Sequence, residues 1–352
     1  MHAPFISDFL SLEEVVVLIL IAITAKLTHW VMPRIIRRTE AIGLVGTDVN
    51  KPDRPKVPEM GGIAAVLGMS IALFSFAGVL VLFDATPDIN NEVRPIYAAM
   101  SVMFVAAFVG LIDDLGIIAR RSKALFIMFA SVPFVVIHPA PAVIEIPFLR
   151  DLDFSTSYTM FLFFWIILVP LGVSGCANAI NMSAGYNGLE SGQTFVIASF
   201  LLLVAYVKGS GYGTLLIFAA LIGSGVGLYL YNRYPAKVFI GDVGTVSIGA
   251  LIGTGVIAGG IEVYGVIAIL PVFYEAYATI YYKLKGVERR HLCHNPVILE
   301  DGRLKPPQGA ECYTLPYLIL SKWPMEERRL TNVLLSLYAI SGAVALVLAM
   351  IA

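Results

Sequence analysis

The residues able to do chemistry in this chain fall into five short stretches. NAINMSAGYNGLESGQ (178–193) carries three asparagines, and GLIDDLG (110–116) carries the adjacent pair Asp113 and Asp114. VFIGDVG (238–244) places Asp242 between Gly241 and Gly244, and GTDVNKPDRPKVPEMGG (46–62) ends on Glu59 beside Gly61 and Gly62. ERRHLCHNP (288–296) supplies Arg289, Arg290, His291 and His294. Asn178 and Asn181 stand three apart, close to one helical turn, so both amides can face one point. Carboxylate and amide oxygens are hard ligands that suit Mg²⁺, or Mn²⁺ as the alternative, rather than soft metals. Mg²⁺ takes one or two protein oxygens and fills its sphere with water and substrate phosphates. With Lys123 and the arginines to neutralise phosphate, the set fits a metal-bound diphosphate. Phosphoryl transfer asks a protein mainly for positioning and charge neutralisation.

Each stretch also has a purely structural reading. Asn187-Gly188 is a turn dipeptide, Asp242 is a good N-cap for a following helix, and the Arg/His cluster could be a membrane anchor. Two histidines three apart lack an obvious third ligand, so no zinc site is expected. Asp113 and Asp114 are harder to dismiss. They end an apolar run, and acids at a helix C-terminus oppose the helix dipole, so they need a compensating partner: a cation, or Lys123.

The elements that hold these stretches follow from composition. Of 352 residues, 58% are hydrophobic and 14% charged, against about 25% charged in soluble domains. Mean hydropathy is +0.82, which places the chain in lipid. Ten apolar runs approach the length of a spanning helix, near 11–32, 60–83, 95–112, 124–138, 158–178, 191–207, 213–231, 243–259, 263–284 and 330–351. The first carries Asp8, Glu13 and Glu14 at its start rather than a basic leader, and is expected to be a retained span rather than a signal peptide. With the N-terminus outside, 19 of the 24 lysines and arginines fall in inner loops. The positive-inside rule then puts both termini outside and every chemical stretch on the cytosolic face. Cys176, Cys293 and Cys312 are not expected to form a disulfide. The expected architecture is all-α: one polytopic membrane domain, 1–352, of about ten transmembrane helices, with a long cytosolic loop at 285–329. The outer segment 139–157 alternates apolar and polar residues, as a small hairpin would.

In order and spacing, GLIDDLG…K, NAINMSAGYNGLESGQ and VFIGDVG resemble the motifs of the polyprenyl-phosphate N-acetylhexosamine-1-phosphate transferases. The NAIN-x-x-AG-x-NGLE-x-GQ form is most similar to the UDP-GlcNAc:dolichyl-phosphate GlcNAc-1-phosphate transferases of archaea and eukaryotes, and the resemblance runs from about Gly46 to Pro296. It implies a ten-helix fold and transfer of a sugar-1-phosphate from a UDP-sugar to a polyprenyl or dolichyl phosphate, releasing UMP. By motif position, Asn181 and Asp242 would bind Mg²⁺. Asn187 would meet the uracil, with the backbone near Thr47, Asp48 and Val49 enclosing the nucleotide and Glu59 near the sugar. Lys123 would hold the lipid phosphate, together with Asn178 and Asn181. Asp113 and Asp114 are the family's acidic pair, as base or as electrostatic support. Arg290, His291 and His294 stand where the eukaryotic enzymes carry an Arg-His-Arg sugar motif, and Gly116-Ile117-Ile118 stands where they carry an asparagine.

The resemblance implies a UDP-sugar, a polyprenyl phosphate and membrane lipid as partners, is compatible with a homodimer, and gives no nucleic-acid partner. It implies the cell membrane in a prokaryote, an archaeon favoured, or the endoplasmic reticulum in a eukaryote. The alternatives are the same reaction with another UDP-N-acetylhexosamine or, in a different class, a secondary transporter. Transporters concentrate polar residues at mid-membrane in broken helices, whereas here they lie at one face.

Overall fold

A backbone crossing hydrocarbon must satisfy its own hydrogen bonds, and helices do so within one segment. The computed structural model describes residues 12–83, 89–117, 120–286 and 295–352. Each of the ten apolar runs is helical there. Seven stretches are long and apolar enough to span: α1 (Leu12–Ala41), α2 (Gly62–Leu82), α3 (Ile89–Asp114), the continuous stretch Tyr158–Met182, α8 (Leu189–Val207), α9 (Tyr212–Asn232) and the last helix, Glu327–Ile351. Tyr158–Met182 comprises α6 (Tyr158–Phe163), a π-helical turn (Phe164–Leu168) and α7 (Val169–Met182).

The other three runs are shorter or broken. The fourth is divided into α4 (Arg120–Ala130) and α5 (Val132–Ile137). The eighth is α10 (Asp242–Ala258), and the ninth is bent by 69° between α11 (Glu262–Ala268) and α12 (Leu270–Leu284). Pro271 enters just after that bend, where its missing N–H and its ring prevent a straight continuation.

The shortest route to the site runs through α10. Every residue from Val243 to Ile257 is buried, which marks a helix surrounded by others. It packs against α3, α7, α9 and α2. Small residues allow the approach, as in lipid-embedded bundles: a Cβ on Gly62 would overlap the backbone of Gly244, and one on Gly249 would lie 2.6 Å from Ala177 Cα.

Among the described residues, three two-strand hairpins complete the fold. β1 (Val45–Thr47) pairs with β2 (Lys56–Pro58) in the proline-rich loop before α2. The expected outer hairpin forms between β3 (Val143–Ile144) and β4 (Leu152–Asp153). The segment expected as a long loop at 285–329 is more ordered than that. It holds β5 (Val297–Ile298) against β6 (Leu304–Lys305), then α13 (Leu315–Lys322), and α14 (Glu327–Ile351) begins before the expected 330. Leu304, Tyr317, Leu320 and Met325 are buried in the main core, so this segment is packed under the bundle. Apolar residues spaced too irregularly for a span gave no periodic signal there.

Candidate active site

The polar stretches converge because helix ends do. The C-terminal ends of α3, α7 and α9 meet the N-terminal ends of α2, α8, α10 and α14 at one end of the bundle. The segment leading into α10 is stitched to the one leading into α2: Phe239 N donates to Pro58 O (2.8 Å), Gly61 N to Phe239 O (2.9 Å) and Gly62 N to Ile240 O (2.8 Å). Glu59 and Asp242 are thereby fixed beside one another.

Asp114 provides the next link. Its Oδ1 accepts from Asp242 N (2.8 Å) and its Oδ2 from Val243 N (2.9 Å). The carboxylate at the C-terminus of α3 thus caps the N-terminus of α10. Two unfavourable features cancel here, an acid at a negative helix end and unpaired N–H groups at a positive one. For Asp114 the α10 N-terminus is one compensating partner; the sequence suggested a cation or Lys123 for the pair. The reading of Asp242 as its own helix cap is also corrected. The N-cap is Gly241, with φ +74°, and it makes no side-chain cap; its left-handed backbone suits glycine and leaves Asp242's carboxylate available for other partners. Asp113 is half-buried in the last turn of α3.

Asn181 and Asp242 do come together. Asn181 Nδ2 donates to Asp242 Oδ1 (2.6 Å) and to Thr245 Oγ1 (2.8 Å). Asn178 does not share that point. Its amide turns back along α7 to Ser174 O (2.8 Å) and Ser174 Oγ (3.2 Å), because a carbonyl four residues earlier lies within reach of a short side chain.

Among the described residues no group of three or more His, Cys, Asp or Glu forms a closed metal cage. The donor set nevertheless fits Mg²⁺ in its open mode, one carboxylate and one amide with the remaining ligands from water and phosphate. Glu59 bears on the same point: burial first, then the negative charge of Asp242, pushes its carboxyl above the ordinary 4.5. Carboxylates held this close favour a cation between them. Asn181 and Asp242 are the residues that would hold it, and the ion would supply positive charge to phosphate oxygens.

A second network surrounds Asn187, which is 4% exposed. Its Oδ1 accepts from Lys51 Nζ (2.7 Å) and Ala236 N (2.8 Å), and its Nδ2 donates to Asp48 Oδ2 (3.1 Å). Lys51 also pairs with Asp48 Oδ2 and with Glu327 Oε2 (3.2 Å). Glu327 Oε1 accepts from Asn187 N (2.8 Å) and Asn50 Nδ2 (3.2 Å), and Asn50 Nδ2 also donates to Gly185 O (2.9 Å). The side chain expected to meet a base is thus committed to three protein partners. It locks the β1–β2 loop, the 233–241 segment and α14 together. Thr47 Oγ1 accepts from Lys56 Nζ (2.6 Å), and Val49 is half-buried beside this network. Asn50, Lys51 and Glu327 carried no signal in sequence, since Glu327 lies 140 residues from Asn187 and reads as an ordinary first-turn acid.

Lys123 lies in the first turn of α4, but its side chain lies outside the described part of the structure. Arg290, His291 and His294 lie outside the described residues altogether.

Fold and site together define a polytopic helical membrane protein with a carboxylate–amide centre at one end of its bundle. Residues 96–260 match the family model for glycosyl transferase family 4. The chain is 32% identical to a protein of Saccharolobus solfataricus over 91% of this chain and 92% of that one. It is 32% identical to a protein of Sulfolobus acidocaldarius over 67% and 68%. Both carry the provisional name UDP-N-acetylglucosamine–dolichyl-phosphate N-acetylglucosaminephosphotransferase. It is also 31% identical to a phospho-N-acetylmuramoyl-pentapeptide-transferase of Desulforamulus reducens over 57% and 59%. The chain belongs to glycosyl transferase family 4 and is a membrane-embedded sugar-1-phosphate transferase, which removes the transporter reading.

Proposed function

We propose that this enzyme transfers N-acetylglucosamine-1-phosphate from UDP-GlcNAc to a polyprenyl phosphate of the dolichyl type, in the first step of lipid-linked glycan assembly. The observation that carries the proposal is the Asn181–Asp242 pair, set on helix ends beside Glu59 and Asp114. The sugar and the lipid are supported by the names of the two archaeal relatives. In the reaction a phosphate oxygen of the acceptor attacks the β-phosphorus of UDP-GlcNAc. One P–O bond forms, the bond from β-phosphorus to the bridging oxygen breaks, and UMP leaves with that oxygen. The second pKa of a phosphate monoester is near 6, so the acceptor is already largely ionised and no covalent enzyme intermediate is needed.

Asn181 and Asp242 would hold Mg²⁺, which would supply positive charge to the diphosphate. Asp114 fixes the backbone of Asp242 and Val243, and Asp113 adds negative charge at the same helix end. Glu59 stands near the sugar. By motif position Lys123 is assigned to the lipid phosphate, and Arg290, His291 and His294 to the sugar. The network around Asn187 and Asp48 shapes the floor under the nucleotide. The bundle is an integral membrane protein with about ten crossings, termini outside and this end in the cytosol, in an archaeal cell membrane.

The test uses purified protein, Mg²⁺, a polyprenyl phosphate and radiolabelled UDP-GlcNAc, with label followed into the organic phase. Metal-dependent transfer that falls at least about a hundred-fold in Asp242→Ala, the scale of losing one transition-state charge partner, supports the reading. Transfer only from another UDP-sugar overturns the specificity and keeps the enzyme. Undiminished transfer in Asp242→Ala would sink the metal assignment.

A further inference from the structure

The same end of the bundle opens a cleft of about 410 Å³ that includes none of Glu59, Asp114, Asn181 or Asp242. It lies between the C-terminus of α9 and the first turns of α14. Its cations are Arg233, Lys237 and Arg328, with Tyr229, Tyr234 and Asn332 among its walls. All three cations are exposed, and among the described residues none has a carboxylate within ion-pair distance. Lys51, close by over the ring of Tyr234, has two. Convergent like charges repel, and an anion placed among them is attracted by all three.

The outward face of α9 next to the cleft identifies the anion's source. Val226 is 38% and Leu230 45% exposed, and Leu230 itself lines the cleft. A cationic notch continuous with an apolar helix face matches a molecule with a phosphate head and a hydrocarbon chain; a free phosphate has no use for the apolar strip. The floor is rigid, because Thr331 Oγ1 donates to Asn187 O (3.2 Å) and Ala236 N to Asn187 Oδ1 (2.8 Å). We propose that this cleft binds the phosphate headgroup of an anionic membrane lipid through Arg233, Lys237 and Arg328. The cleft shares Asn187 with the floor assigned to the nucleotide but contains none of the metal-centre residues, and its occupant is its own.

The experiment measures binding, so a failed transfer assay leaves it readable. Full-length protein in neutral detergent receives phosphatidylglycerol, phosphatidylcholine, inorganic phosphate or UMP, and retained lipid is counted by native mass spectrometry beside thermal unfolding. Phosphatidylglycerol should be retained in preference to phosphatidylcholine and should raise the Tm. Each cation near a headgroup contributes about five-fold in affinity. R233Q or R328Q alone should therefore weaken retention about five-fold, and R233Q/K237Q/R328Q about a hundred-fold. The Tm of lipid-free single variants reports whether they fold, so the prediction survives an unstable triple variant. Equal retention by wild type and folded variants overturns the proposal, as does equal retention of the two lipids. Displacement of the lipid by inorganic phosphate or UMP reassigns the cleft to a soluble phosphate and overturns it as well.

Discussion

At the scale of the residue, Asp114 occupies a place where an acid is unfavourable by itself, the negative end of α3, and is stabilised by the N–H groups of Asp242 and Val243. Removal of such a cap costs about 1–2 kcal/mol. Asp114→Ala should therefore lower the Tm by several degrees and reduce transfer, while Asp114→Asn, which keeps one acceptor oxygen, should fall between it and wild type in both. A wild-type Tm in both variants with activity lost would mean that Asp114 acts on the substrate and not on α10. Glu59 makes the opposite contribution. Burial and Asp242 raise its pKa above 4.5, so ionising it costs the folded state more than the unfolded one. Stability from this group is intact below about pH 4.5 and is lost as pH rises through the raised value. In the absence of Mg²⁺, Glu59→Gln should raise the Tm by about 1–2 °C at pH 7.5, with the difference closing near pH 4.5. A constant difference across that range would show that charge is not its origin.

At the scale of the element, the site depends on α2 and α10 touching backbone to backbone. A methyl at Gly62 meets Gly244 with no room to yield, whereas one at Gly78, on the same helix, meets nothing within 4 Å. Overpacking typically costs about 1–3 kcal/mol. Gly62→Ala should thus lower the Tm and, by displacing α10 from Glu59, the transfer rate, while Gly78→Ala leaves both near wild type. Equal behaviour of the two variants in a thermal melt would disprove the close-contact account. The apolar runs were legible as helices because their length and composition leave little choice in lipid. The 69° bend between α11 and α12 and the packed 297–325 segment were not, since both are decided by neighbouring elements.

At the scale of the whole molecule, orientation is the claim most open to test. Nineteen basic residues lie on the side assigned to the cytosol. After replacement of Cys176, Cys293 and Cys312, a single cysteine at Asp301, in the exposed β5–β6 turn, should react with a membrane-impermeant maleimide only in inside-out vesicles. One at Leu149, 73% exposed near the β3–β4 hairpin, should react only in right-side-out vesicles. The reverse pattern would invert the topology and move the active end outside.

The sequence by itself determined the helices, the side on which charge collects, and the residue types of the centre, because burial in lipid and metal–phosphate chemistry each admit few solutions. Asn181 and Asp242 were legible as partners through the motifs they sit in. Only the tertiary structure decided how those residues are used. It turned Asn178 back onto Ser174, made Asp114 the cap of a helix 128 residues away, and brought Asn50, Lys51 and Glu327 around Asn187. It also gathered Arg233, Lys237 and Arg328 at one cleft. The physical reason is that a hydrogen bond or a charge contact depends on distance in space, and the packing of α2, α3, α7, α10 and α14, not their order along the chain, sets those distances.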